Sequence, residues 1–220
     1  MIELLIKILF AYMLGSVSGS MVVGAFRHVD IRKSGSGNAG GTNAFRTQGF
    51  WFALAVVIID IGKGALATWM IPLLAIAVPG APVALEIQLL ACGFAAVVGH
   101  CYPLWHGFRG GKGAATAVGA LLVIEPLALL PMIATWLLVL VISGWVGLAT
   151  MLAAISLIPA LIWLDATAAK IVFSVFLALF IVFTHRSNIV NMFNGTEYHF
   201  ERIWIRNWFG RKAPDAPDND

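Results

Sequence analysis

The residues with the clearest chemical potential lie in one stretch, 100–116, where an apolar run ends, a glycine-rich turn follows and another apolar run begins. The turn carries two cations, Arg109 and Lys112, among glycines at positions 110, 111 and 113. Glycines let a backbone direct several N–H groups toward one point, and a helix that starts just beyond adds the positive end of its dipole. These features predict an anion site, most simply for phosphate, although an ordinary basic loop between two membrane helices has a similar composition.

Two further polar segments repeat the same residue types. We call 33–46 the first polar segment, 100–116 the second and 184–197 the third. All three combine cations, hydroxyls, amides and glycines, which suit phosphate oxygens. The candidate residues are Ser36, Asn38, Thr42, Asn43 and Arg46 in the first segment, His100, Gly110, Gly111, Lys112, Gly113 and Thr116 in the second, and His185, Asn188 and Glu197 in the third.

Carboxylates are scarce near these segments, where only Asp30 and Glu197 are expected on the same side. A divalent-metal phosphotransferase needs a cluster of such ligands, so we predict phosphate chemistry with no metal and no cofactor. The G-x-G-x-x-G run at 35–40 follows no strand, and Lys112 is followed by glycine, so neither nucleotide-binding motif applies. The net charge of +3 does not require nucleic acid, because basic membrane loops explain it equally well.

The composition is that of an integral membrane protein. Hydrophobic residues make up 60% of the chain, charged residues 11%, and the mean hydropathy is +0.90. The apolar runs are too long for a membrane β-barrel, which indicates an all-α helix bundle. We expect one membrane-embedded domain over 1–212, with 199–212 forming an amphipathic interfacial helix and 213–220 a disordered tail.

The distribution of basic residues predicts the topology. Arginines and lysines concentrate in the first and second polar segments and after residue 185, so all three regions should face the cytoplasm. An even number of crossings must then separate the last two regions, which requires the apolar stretch 114–142 to be two helices split at Glu125–Pro126 and not one long helix. This predicts seven spans, with the N-terminus outside and the C-terminus cytoplasmic: 2–26, 50–78, 84–102, 114–124, 126–142, 145–163 and 168–184.

The split makes 114–124 unusually short. As a helix it would be about 16 Å long, against a bilayer core of roughly 30 Å, so it should be shielded by neighbours or lie in thinned lipid.

Two positions allow more than one interpretation. Asp60 and Lys63, three residues apart in the second span, are either a structural intramembrane pair or a pair in which Lys63 faces the site and binds substrate phosphate. His100 either caps the third span or contacts substrate.

The motifs resemble those of the bacterial acyl-phosphate:glycerol-3-phosphate acyltransferases. The resemblance rests on the run 36–46, on Gly99–His100 leading to Gly110–Gly113 with Thr116, and on 185–189 with 195–197. It covers nearly the whole chain, because the order of the motifs, their spacing and the apolar segments between them all fit the family. It implies seven membrane helices in the bacterial inner membrane and transfer of a fatty acyl group from acyl phosphate to the 1-hydroxyl of glycerol 3-phosphate, giving lysophosphatidic acid and inorganic phosphate.

The resemblance also implies roles for individual residues. Gly110, Gly111, Lys112 and Gly113 inherit the glycerol-phosphate site; Ser36 and Arg46 match essential positions, and His185 and Asn188 important ones. Glu197 matches a position tied more to structural integrity. Two departures from the pattern occur: Cys101–Tyr102 replaces Leu-Phe, and Asn191 stands where a basic residue is expected, which argues against a phosphate contact there.

Two questions remain open from the sequence. The hydroxyl proton is accepted either by His185 as general base or by a substrate phosphate, and we favour the second, with His185 positioning the substrate. The competing function is a transporter of an organic phosphate, which should show an internal repeat and midplane polar residues in both halves. The later spans are nearly free of ionisable groups, which favours the enzyme; the sequence does not define the oligomeric state.

Overall fold

The computed structural model describes residues 1–200 of the chain. In that range the secondary structure is helical throughout: α1 (Ile2–Gly15), α2 (Gly19–Arg27), α3 (Gly41–Gln48), α4 (Phe50–Met70), α5 (Leu85–Cys101), α6 (Ala114–Ile124), α7 (Leu129–Ser143), α8 (Val146–Trp163), α9 (Ala168–Thr184) and α10 (Arg186–Phe193). Apart from residues 199 and 200, the expected interfacial helix and disordered tail lie outside the described residues.

The all-α membrane bundle predicted from composition is confirmed. Five helical segments of the described chain are long and apolar enough to cross a membrane: Ile2–Arg27, Phe50–Leu73, Leu85–His106, Pro126–Ser143 and Val146–Trp163. A sixth consists of α9 and α10, which are bent by 52° where they meet. The apolar α6 has only 11 residues.

The loops gather at two ends of the bundle. At one end Lys7 Nζ donates to Gln88 Oε1 at 2.8 Å, and Lys170 Nζ to Glu125 Oε2 at 2.9 Å. At the other end the polar segments meet: Arg32 Nη1 donates to His106 O at 3.1 Å, and Lys112 Nζ to Ser187 Oγ at 3.2 Å. We call the second the cavity end, because the site described below lies there.

The short α6 is shielded by its neighbours. Six of its residues are buried: Thr116, Ala117, Gly119, Ala120, Leu121 and Ile124. Its backbone lies directly on α4, since a Cβ atom on Gly64 would be 2.2 Å from Thr116 O and one on Gly119 would be 2.0 Å from Ile61 O. Small residues permit this approach, which is a common way for membrane helices to associate. A helix too short to reach across lipid therefore stands against protein over much of its surface.

The first span is broken where a single helix over 2–26 was expected. The α1 helix ends at Gly15 and α2 begins at Gly19. Backbone groups freed by the break are satisfied from α4: Lys63 Nζ donates to Val17 O at 2.6 Å, and Asp60 Oδ1 accepts from Gly19 N at 3.1 Å. A break inside apolar surroundings is tolerated because these two charged side chains replace the lost helical partners.

Candidate functional site

A cavity of about 1250 Å³ opens at the cavity end. All three polar segments line it, together with the start of α8, as the shared chemistry of the segments predicts. Its lining includes thirteen of the candidate residues: Ser36, Asn38, Thr42, Asn43, Arg46, His100, Gly110, Gly111, Lys112, Gly113, His185, Asn188 and Glu197. Two candidates, Lys63 and Thr116, do not line it. Thr116 is fully buried where α6 packs on α4, which leaves it no path to a substrate in this structure.

The glycine-rich turn works differently from our expectation. Its N–H groups do not converge on an anion: Gly110 N donates to Cys101 O at 3.2 Å and Gly111 N to His100 O at 3.1 Å. A Cβ atom at either glycine would lie 2.0 Å from an atom of His100. The glycines are therefore needed for the turn to fold back onto the end of α5.

Free backbone N–H groups lie a few residues further on, at the start of α6. The α6 helix begins after Gly113, which has no side chain to cap the helix. Gly113, Ala114 and Ala115 all line the cavity. The first N–H groups of a helix have no internal partners, and the helix dipole is positive there. The start of α6 thus offers the cavity the donors that the glycines do not.

Lys112 connects the second and third polar segments. Its Nζ donates to Asn188 Oδ1 and to Ser187 Oγ, and Asn188 Nδ2 donates to Glu197 Oε1 at 2.7 Å. Asn188 is therefore held with its oxygen toward the ammonium and its NH₂ group toward the carboxylate. Burial lowers the pKa of Lys112 from its ordinary value, and the charge of Glu197 opposes that shift.

Arg46 is another cation of the cavity, which Arg109 and Arg186 also line. Its guanidinium carbon lies 3.8 Å from the centre of the Tyr198 ring, a cation–π arrangement, and its Nε atom is buried without a hydrogen-bond partner among residues 1–200. Burial lowers the pKa of Arg46, against the charges of Tyr198 and Glu197, which raise it. The sequence analysis missed Tyr198, and its position next to Glu197 was the only signal available.

Asn43 is occupied in holding its own loop together. Its Nδ2 donates to the carbonyl oxygens of Ile31, Ser34 and Asn38 at 2.9–3.1 Å, and its Oδ1 accepts from Ser36 N at 3.0 Å. Although Asn43 borders the cavity, its amide is already saturated. The consequence is a fixed loop that exposes Ser36 to the cavity.

His185 lies at the bend between α9 and α10 and is 5% exposed. Its Nδ1 is 2.8 Å from Ile181 O, an atom that can only accept, so Nδ1 carries a proton and donates. In the neutral ring Nε2 is then an acceptor. A hydroxyl group in the cavity could donate to it, which suits both of the roles considered for His185.

Lys63 lies behind the cavity wall in a buried cluster with Asp60 and His100. Its Nζ is 2.9 Å from Asp60 Oδ1 and 2.9 Å from His100 Nδ1, and it also holds Val17 O. This position corresponds to the structural-pair interpretation and not to a direct phosphate contact. His100 itself reaches the cavity, and its ring packs against Gly111 instead of capping α5.

The start of α8 is a part of the site to which the sequence analysis assigned nothing. Val146, Gly147 and Thr150 line the cavity, and a Cβ atom on Gly147 would lie 2.8 Å from Asn188 Cγ. Within residues 1–200, no group of three or more histidine, cysteine, aspartate or glutamate side chains could hold a metal ion.

An apolar helix bundle with a cation-bearing cavity at one end defines a class, that of membrane-embedded proteins able to bind phosphorylated molecules. A protein-family model described as glycerol-3-phosphate acyltransferase matches residues 5–195. The chain belongs to this family, and it is an acyltransferase of glycerol 3-phosphate. The resemblance drawn from the three motifs is confirmed.

The relatives agree along most of their length. The glycerol-3-phosphate acyltransferase of Symbiobacterium thermophilum is 39% identical over 197 residues, covering 90% of this chain and 94% of the relative. That of Chlorobaculum tepidum is 38% identical over 239 residues, covering 96% and 100%. The fold is similar to crystal structures of PlsY, an integral membrane glycerol 3-phosphate acyltransferase, in its glycerol 3-phosphate and lysophosphatidic acid forms. Both structures share 31% identity and cover 90% of this chain and 95% of PlsY, with TM-scores of 0.79 and 0.78.

Proposed function

We propose that the protein transfers a fatty acyl group from acyl phosphate to the 1-hydroxyl of glycerol 3-phosphate, forming lysophosphatidic acid and inorganic phosphate. The observation that carries the proposal is that one cavity brings together Arg46, Lys112 and His185 from three separate polar segments. The two half-buried cations, Arg46 and Lys112, suit two phosphorylated substrates that would otherwise repel each other. The two ligands named for the PlsY structures are a substrate and a product of this reaction.

The reaction requires mainly that the two substrates be positioned correctly relative to each other. Acyl phosphate is a mixed anhydride, so its carbonyl carbon is already activated and phosphate is the leaving group. The hydroxyl oxygen attacks that carbon, the carbon–oxygen bond to phosphate breaks, and the departing electron pair stays on phosphate. The hydroxyl proton passes to a substrate phosphate, whose second pKa is about 6. Alignment of the two substrates supplies much of the rate enhancement.

Each part of the cavity has a task in this scheme. Lys112, Arg46 and the start of α6 hold the phosphate groups, and Nε2 of His185 accepts a hydrogen bond from the glycerol hydroxyl and orients it. Asn188 fixes Lys112. The remaining contacts to substrate come from Ser36, Asn38, Thr42, His100 and Glu197, with Gly110, Gly111 and Gly113 shaping the turn.

Lys63 and Thr116 do not line the cavity, and Asn43 borders it with a saturated amide, so all three contribute indirectly. Lys63 acts through His100, and Asn43 through the loop that it holds. Thr116 supports the packing of α6 on α4. No metal ion or cofactor takes part in this scheme.

We further propose seven crossings, with α6 as the additional span, the N-terminus outside and the cavity open to the cytoplasm. This arrangement places the basic residues of the cavity end on the cytoplasmic side of a bacterial inner membrane, as the positive-inside rule requires. Residues 1–212 then form one membrane-embedded domain.

The test is an assay of purified protein in lipid nanodiscs with acyl phosphate and glycerol 3-phosphate. Phosphate release should depend on both substrates, and lysophosphatidic acid should appear in equal amount. Lys112→Met should lose at least tenfold in kcat/KM, because one buried charged contact to phosphate is worth about 1.5–3 kcal/mol. Lys33→Met is the matched control, since Lys33 is exposed at the same end and does not line the cavity. Transfer from acyl-CoA alone, or phosphate release without glycerol 3-phosphate, would contradict the proposed donor and acceptor.

A further inference from the structure

Three ionisable side chains form a compact buried cluster directly behind the glycine-rich turn. Asp60 is 1% exposed, Lys63 4% and His100 3%. Their polar atoms lie within hydrogen-bond reach of one another. Asp60 and His100 line the cavity, and Nε2 of the His100 ring packs against Gly111. The cluster joins the break in the first span to the cavity.

The number of protons on Lys63 decides how His100 is protonated. An ammonium group has three donors and no acceptor. Lys63 Nζ has three neighbours: Val17 O at 2.6 Å, Asp60 Oδ1 at 2.9 Å and His100 Nδ1 at 2.9 Å. The carboxylate beside it stabilises the ammonium form, so each proton has one partner. Nδ1 of His100 must then accept, which leaves the ring proton on Nε2.

The other nitrogen of the ring, Nε2, lies against Gly111 of the turn that borders the cavity. His100 lines the cavity, and across the described 200 residues Nε2 has no hydrogen-bond partner. A protonated imidazolium would direct an N–H group from Nδ1 at the lysine ammonium, where only Asp60 Oδ1, 3.4 Å away and already shared with Gly19 N and Lys63, could accept it. The neutral ring with Nε2–H gives each proton of Lys63 one acceptor and leaves the Nε2–H group available to a ligand.

We propose that Asp60 and Lys63 fix His100 as a neutral ring whose Nε2–H donates a hydrogen bond to a phosphate oxygen of glycerol 3-phosphate. The inference rests on the proposed function for the identity of the ligand. Lys63 and Asp60 are positioning residues that act through His100. The arrangement is the reverse of that at His185, where Nδ1 carries the proton and Nε2 accepts.

The tautomer can be measured without any substrate. Protein labelled with ¹⁵N-histidine is reconstituted in nanodiscs, and the ring nitrogens are observed by NMR. The resonances of His100 are identified by their absence from the spectrum of His100→Gln. They should be present in the spectra of four further variants, in each of which one of the other histidines is substituted. We expect a neutral Nε2–H ring in the native protein. In Lys63→Met we expect the proton on Nδ1, donated to Asp60. An Nδ1–H or doubly protonated ring in the native protein overturns the proposal.

Kinetics test the donor role. His100→Phe removes the donor and should raise the KM for glycerol 3-phosphate roughly 10- to 100-fold, the loss expected for a hydrogen bond to a charged group, with far less change in kcat. His100→Gln keeps an N–H group near the same place and should restore most of the affinity. Lys63→Met should raise the same KM, and should add little in a His100→Phe background because both changes remove one contact.

Lys7→Met is the matched control. Lys7 is also a buried lysine, 2% exposed, that donates to Pro72 O and Gln88 Oε1 at the opposite end of the bundle. The Lys7→Met substitution should lower thermal stability as Lys63→Met does, yet leave the KM for glycerol 3-phosphate unchanged. Equal KM values for Lys63→Met and the native protein, or a His100→Gln enzyme as impaired as His100→Phe, would contradict the donor role. Failure of the proposed function itself would appear separately, as loss of acyl phosphate turnover in the native protein.

Discussion

His185 is held by its own helix end, and this limits what it can do. Because Nδ1 donates to Ile181 O, only Nε2 is available to a substrate. An acceptor at this point suits a ring that orients the glycerol hydroxyl, and it would equally suit a ring that removes the proton. A substitution that keeps a hydrogen-bond acceptor but removes the base distinguishes the two roles. It should cost little turnover if His185 only orients the hydroxyl, and much more if His185 removes the proton.

His185→Gln separates these roles. The glutamine amide oxygen can still accept a hydrogen bond but is not a base, so we expect turnover to fall by less than about a hundredfold, with a higher KM for glycerol 3-phosphate. Steady-state rates with both substrates varied provide the measurement. A loss of kcat beyond about a thousandfold with KM unchanged would instead identify His185 as the general base.

Lys112 gives the enzyme a pH limit on the alkaline side. Phosphate binding needs the ammonium form, and burial lowers the pKa of this group in the folded protein. Affinity is therefore complete below the lowered pKa and is lost as the pH rises through it. We expect the KM for glycerol 3-phosphate to rise at alkaline pH, before an ordinary lysine would lose its proton. The substrate phosphates, already ionised above about pH 7, contribute nothing to this rise.

Lys112→Arg provides the comparison, because a guanidinium stays charged throughout this range. The variant should have weaker affinity near neutral pH but a flat KM at alkaline pH, after correction for spontaneous hydrolysis of acyl phosphate. If both enzymes lose affinity over the same pH range, the titrating group is not Lys112.

At the scale of elements, α8 sets the position of α10. Gly147 leaves room for Asn188, whose amide joins Lys112 to Glu197. We expect Gly147→Ala to push Asn188 aside and to lower kcat/KM by about tenfold or more, the loss of one hydrogen bond to a charged group. Assays of initial rate at low substrate concentration measure this ratio.

Gly62→Ala is the matched control for that substitution. Both glycines lie in helices, Gly147 in the first turn of α8 and Gly62 inside α4, and alanine is the better helix former, by about 1 kcal/mol in a helix interior. A Cβ atom on Gly62 would meet nothing within 4 Å, so its variant should keep native activity. Native activity in Gly147→Ala as well would show that the contact with Asn188 does not matter to the site.

The elements also show which features local sequence can reveal. The three polar segments could be grouped from sequence because the residue types that bind phosphate recur in each. The break in the first span was missed because its cause, Asp60 and Lys63, lies on another helix. Gly147 and Tyr198 were missed for the same reason, since their partners Asn188 and Arg46 are remote along the chain. The hydrogen bonds of Gly110 and Gly111 to the end of α5 were not predicted, because nothing in the local sequence indicates them.

At the scale of the whole molecule, hydropathy and charge were enough to predict the class of fold. They predicted the all-α membrane bundle and the division of 114–142 into α6 and α7 near Glu125. The sequence predicted that the second span ends at residue 78, but α4 ends at Met70. A short turn and an irregular segment follow it. Pro72 and Pro79 fall there, and proline ends helices, but the apolar composition concealed the boundary.

The seven-span topology predicts which ends of the bundle are accessible from outside the cell. In a background where Cys92 and Cys101 are alanine, we expect Ala81→Cys to react with a membrane-impermeant maleimide in intact cells. Asn191→Cys should react only after the membrane is permeabilised, because residue 191 lies at the cavity end. Both residues are exposed, so each variant should react fully in detergent, which serves as the control. The reverse pattern would place the cavity outside.

Glu197 gives the cavity a counter-ion of its own. Its carboxylate holds Asn188 and acts on the charges of both Arg46 and Lys112. A pair of half-buried cations without such a partner would retain the inorganic phosphate produced at each turnover. With the carboxylate present, a departing phosphate leaves behind cations that are already partly neutralised, and the exchange of anions costs less. The same network that aligns the substrates therefore also favours release of the product.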